Sequence, residues 1–149
     1  MKTVNAPITF GRCLLAGLAT GIIASLVGIL FNYIYRGAVD LTSYEVVMPI
    51  SVFTVFPLVC LTAGGFYFLL IGHIRRAPKL FGGIVLLIMV VGALLTMLTW
   101  RPNDPGQKEL RDLLTGMELI WGLFSAFLIP YLVNHPRLYL TDEDIRGEE

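Results

Sequence analysis

Four long apolar runs, separated by short islands of charge, set the pattern of the chain. They run from Cys13 to Tyr35, Val46 to Ile74, Leu80 to Trp100 and Leu113 to Asn134. Arg12 and Arg36 bound the first, Glu45 and Arg75 the second, Lys79 and Arg101 the third, and Asp112 and His135 the fourth. A hydrocarbon core about 30 Å thick needs about 20 helical residues to cross it, and each run is long enough. None alternates with period two, and only helices or closed barrels satisfy their backbone in lipid. The pattern predicts an all-α fold, a four-helix antiparallel transmembrane bundle forming a single membrane domain over residues 1–149. Its spans are 13–35, 46–74, 80–100 and 113–134, followed by an acidic tail over 135–149.

Local signals place the ends of these helices. Thr42 and Glu45 have the spacing of a capping box just before the second span. Asp104, Pro105 and Gln107 read as an N-cap, a first-turn proline and a third-position glutamine. That starts the fourth helix about two turns before it enters lipid. Arg101 to Gly106 is turn chemistry. Pro49, Pro57 and Pro130 fall within spans, and a bend is expected near Pro57.

Orientation follows from the basic residues. Lys2, Arg12, Arg75, Arg76, Lys79, Arg137 and Arg146 fall on one side, against Arg36, Arg101, Lys108 and Arg111 on the other. The richer side is the cytoplasmic one, so both termini are expected inside. The first run is longer than the apolar region of a cleaved signal, about 7–15 residues, and its far end has no small-x-small site. It reads as a retained helix.

Composition supports the same class. Apolar residues make up 56% of the chain and charged residues 15%, where soluble domains run nearer a quarter charged. A net charge of zero offers nothing to nucleic acid. Cys13 and Cys60 sit inside apolar runs without a CxxC partner, so neither a disulfide nor a metal site is expected. His73 and His135 fall at the cytoplasmic interface, where polar tips reach water. Motifs for zinc proteases, serine hydrolases, P-loops and dinucleotide binding are all missing, so no enzyme and no cofactor are expected.

The candidate chemistry centres on Glu118, the one acid well inside a span. An intramembrane carboxyl faces the bundle interior or a cavity by default. Arg111, Thr115, Glu118, Gly122 and Ser125 fall at helical spacing on one stripe. Counted from the outer ends of their own spans, Asn32, Ser51, Thr96 and Glu118 lie at similar depth and form a candidate polar layer. Such a layer serves as interhelical glue at about 0.6–2 kcal/mol per hydrogen bond, as a proton or ion relay, or as a contact for a ligand or lipid headgroup. The first span carries a small-residue face, Gly17, Gly21, Ser25 and Gly28, beside Ala16, Thr20 and Ala24. Small residues let backbones approach, either within the chain or against a second copy or partner.

The opening Phe10-Gly11-Arg12-Cys13-Leu14-Leu15-Ala16-Gly17, a proline in the second span, a short basic loop and a polar residue in the last span resemble small bacterial inner-membrane proteins grouped as domains of unknown function. Those proteins carry histidine more often than glutamate in the last span, and this chain departs there. The resemblance implies a four-span topology and a bacterial inner-membrane location, and implies no activity. Two functions are expected from the residues. One is a structural or accessory subunit packed against partner membrane proteins or itself within the lipid bilayer. The other is a small proton- or ion-coupled transporter or channel built on Glu118.

Overall fold

A computed structural model describes residues 8–39, 49–74, 76–100 and 105–138. Among these, four α-helices follow one another: α1 (Phe10–Ala38), α2 (Pro49–His73), α3 (Ala77–Thr99) and α4 (Pro105–Asn134), with a short 3-10 turn at Pro136–Leu138. All four are long and apolar enough to cross a membrane. At 29 residues α1 is about 43 Å long, more than the hydrocarbon core requires. Helix α4 starts at Pro105, two turns ahead of Leu113. The capping box at Thr42 and Glu45, the cap at Asp104 and the acidic tail from residue 139 lie outside the described residues.

The helix ends have local causes. Thr9, in extended conformation, accepts a hydrogen bond from the Arg12 amide and caps α1. Only Ile74 to Arg76 joins α2 to α3, and Pro78 in the first turn of α3 needs no hydrogen-bond partner there. Helix α2 continues through Pro57 and α4 through Pro130. Hydroxyls on outward faces are satisfied within their own helix: Thr54 donates to the Ile50 carbonyl, Thr62 to Val59 and Thr99 to Leu95.

Helix α1 is the central element. It packs most extensively on α2 and then on α4, while α3 rests on α4 and meets α2 only sparsely. The α1–α2 contact runs backbone to backbone. A methyl added at Gly17 would fall on the Cys60 carbonyl, one at Gly21 on the Cα of Pro57, and one at Gly64 on the Cys13 carbonyl. Farther along, Gly28 lies under the side chains of Phe56 and Val52. Ser25 completes the face, donating to its own Gly21 carbonyl at 2.7 Å and reaching the Val52 carbonyl at 3.4 Å. In lipid such closeness matters because no hydrophobic force drives one apolar helix onto another; dispersion and hydrogen bonds do.

Two apolar cores fill the bundle. The first joins Cys13 and Ala16 of α1, Tyr67 of α2, Phe81 and Val85 of α3, and Ala126, Ile129, Leu132 and Val133 of α4. Tyr67 and Phe81 pack with ring centroids 4.9 Å apart. The second joins Val52 with Leu110, Leu113 and Met117, flanked by Phe31, Tyr35, Phe56 and Trp100. Phe31 also presses on Gly116, so α1 and α4 approach closely there.

Candidate functional site

Between the two cores the bundle is open on one side. A cavity of about 440 Å³ lies between α2, from Ser51 to Val59, and α4, from Leu114 to Trp121. At Val59 and Trp121 it adjoins a second cavity of about 310 Å³, whose far wall is α3 from Phe81 to Ile88. The opening goes with the sparse contact between α2 and α3. Its walls are hydrocarbon and aromatic, with few polar groups on them.

Glu118 is one of those few. It is half-buried in the wall of the larger cavity, and Ser51 lines the same cavity from α2. The Glu118 carboxyl reaches across to α3, where Oε1 occupies the space that a side chain at Gly92 would fill. Among the described residues no hydrogen bond or ion pair reaches this carboxyl. Arg111, one polar residue of the same stripe, is paired with Asp112 at 2.9 Å.

The four residues of the candidate polar layer occupy different surroundings. Ser51 and Glu118 share the cavity. Asn32 is buried on α1 and Thr96 half-buried on α3, and neither belongs to its wall. The stripe on α4 likewise divides. Ser125 Oγ lies 3.3 Å from Cys60 Sγ on α2, Gly122 lies against Met89 of α3, and Thr115 donates to its own Arg111 carbonyl. Gly17, Gly21, Ser25 and Gly28 all lie against α2 of the same chain.

Two residues matter here that the sequence reading passed over. Gly92 makes room for the Glu118 carboxyl, and a lone glycine inside an apolar helix was the available signal. Arg12, read in the sequence for its charge and its place in the opening motif, is 4% exposed and donates through Nη2 to the Val133 carbonyl at 2.8 Å. His73 and His135 turn back onto their own helices, each donating from Nδ1 to the carbonyl four residues earlier, and His135 stacks on Tyr131. Both are exposed.

The contact at Gly92 makes a prediction of its own. The atom that an added methyl would meet is the tip of a flexible side chain, so Glu118 can swing aside. Alanine is also the better helix former by about 1 kcal/mol. Gly92→Ala is therefore expected to hold or slightly raise the melting temperature in detergent. A drop of several degrees would mean that the carboxyl is fixed in place.

No protein-family model matches the chain, and neither the curated proteins nor the solved structures yield a match.

Proposed function

We propose that this chain is an integral membrane protein of a bacterial inner membrane, an antiparallel four-helix bundle with both termini in the cytoplasm. We propose further that it serves as a structural or accessory subunit, associating with a partner membrane protein or with itself, and not as an enzyme. The antiparallel reading is supported by the order of partners: as α1 advances from Gly17 through Gly21 to Gly28, its contacts on α2 recede from Cys60 through Pro57 to Val52. The orientation rests on the excess of Lys and Arg at one end.

One observation carries the accessory reading. The first core, from Cys13 through Tyr67 and Phe81 to Val133, packs all four helices together with apolar side chains that are almost wholly buried. A conducting path would have to pass this layer, which offers an ion no string of polar groups. The transport reading draws on Glu118 and Ser51 in the cavity, and it requires the first core to open.

One experiment separates the two. The protein is extracted in mild detergent, weighed by native mass spectrometry, and reconstituted in liposomes holding a pH-sensitive dye. The accessory reading expects a defined complex or oligomer and no proton or ion flux at any pH. Flux by the wild type that is lost in a well-folded Glu118→Gln variant would overturn it, because an amide cannot carry a proton.

A further inference from the structure

We propose that the cavity beside Glu118 binds a lipophilic monocation, an organic ammonium or phosphonium whose charge is carried on a bulky apolar body. The volume, about 440 Å³, lies within the range of small-molecule sites, about 300–1,000 Å³. Such sites are mostly apolar with a few placed polar groups, and here those are Glu118 and Ser51.

The chemistry of the wall narrows the class. When ionised, a carboxyl with no partner among the described residues, set in an apolar wall, is best balanced by a cation. A bare metal ion does not suit it, since hard cations take six or more oxygen ligands and the wall presents one carboxyl and one hydroxyl. An anion would be repelled, and a neutral hydrocarbon would leave the carboxyl as it was. A cation whose charge is spread over apolar groups gives up little hydration on entering. Phe56 and Trp121 line the same cavity, and aromatic rings attract cations of this kind. The adjoining space along α2, from Ser51 to Phe66, extends about 22 Å and leaves room for an apolar tail.

This inference is independent of the accessory role: a subunit can bind such a molecule with or without a partner. Its test is equilibrium binding of labelled tetraphenylphosphonium to the full chain in phosphatidylcholine nanodiscs. Saturable binding at one site per chain is expected, with affinity lowered about tenfold or more in Glu118→Gln. Uncharged triphenylphosphine oxide should fail to displace the cation. A second variant, Val55→Trp, fills the cavity from the exposed side of α2 and should abolish binding while keeping the carboxyl. Absence of saturable binding by the wild type would overturn the proposal. So would undiminished binding in Val55→Trp or in a folded Glu118→Gln, or equal displacement by the neutral compound.

Discussion

Gly21→Leu is expected to destabilise the bundle by about 3 kcal/mol or more, because the added side chain would have to occupy the backbone of another helix. A Cβ at this position meets the Cα and nitrogen of Pro57 and the carbonyl of Phe56. None of these atoms can rotate away, so α1 and α2 would have to separate along their length. Separation would also stretch the Ser25 contact to Val52 and the close approach at Gly17 and Gly64. Thermal unfolding in detergent, read beside size-exclusion profiles, checks this. Ile23→Leu is the control: Ile23 is 40% exposed on another face, and its variant should melt with the wild type. Matching melting curves for Gly21→Leu and wild type would remove the basis for the α1–α2 contact described above.

Arg12→Ala is expected to cost about 1.5–3 kcal/mol, the range for a hydrogen bond to a charged group. Arg12 occupies the first turn of α1, where the helix dipole disfavours a cation. It is held there by the C-terminal end of α4, whose dipole favours one and whose Val133 carbonyl accepts its Nη2. The side chain thus ties the first described helix to the last. Hydrogen exchange at the end of α4 should rise with the loss of melting temperature. Arg12→Lys should restore part of the stability, since an ammonium can donate but lacks the planar fork. Unchanged exchange and melting in Arg12→Ala would show that the contact contributes nothing.

Some of this was legible in the residues and some was not, for physical reasons. The length of the apolar runs predicted four helices because lipid leaves the backbone few options, and α1 to α4 contain most of each predicted span. The early start of α4 at Pro105 could be read because proline favours the first turn of a helix. The candidate polar layer fared differently. Counting residues from a span's end fixes depth and leaves open where each side chain points around the axis. Asn32 and Ser51 count to similar depth from their span ends, yet one is buried on α1 and the other lines the cavity. The small-residue face of α1 was visible as a stripe, but a stripe does not name its partner. Of the residues opposite it, Pro57 was read for a bend and Cys60 as a small apolar side chain, and nothing in the sequence pairs either with the stripe. Arg12 was read as a topology signal because its burial depends on α4, more than a hundred residues away in sequence.

The uneven pairing of the helices also bears on the order in which a ribosome releases them. Helix α1 receives its principal neighbour with the next span to be made, so the two can close on one another early. Helix α3 rests mainly on α4, which is synthesised after it. Until α4 is made, the main neighbour α3 has is α2, which it meets sparsely. Its sequence suits the wait: from Leu80 to Thr99 it carries no ionisable residue, and it is the most apolar of the four. Helix α4 is the least apolar and brings Glu118 with it. It follows α1 and α3 in the chain, so the two surfaces it packs on are made before it.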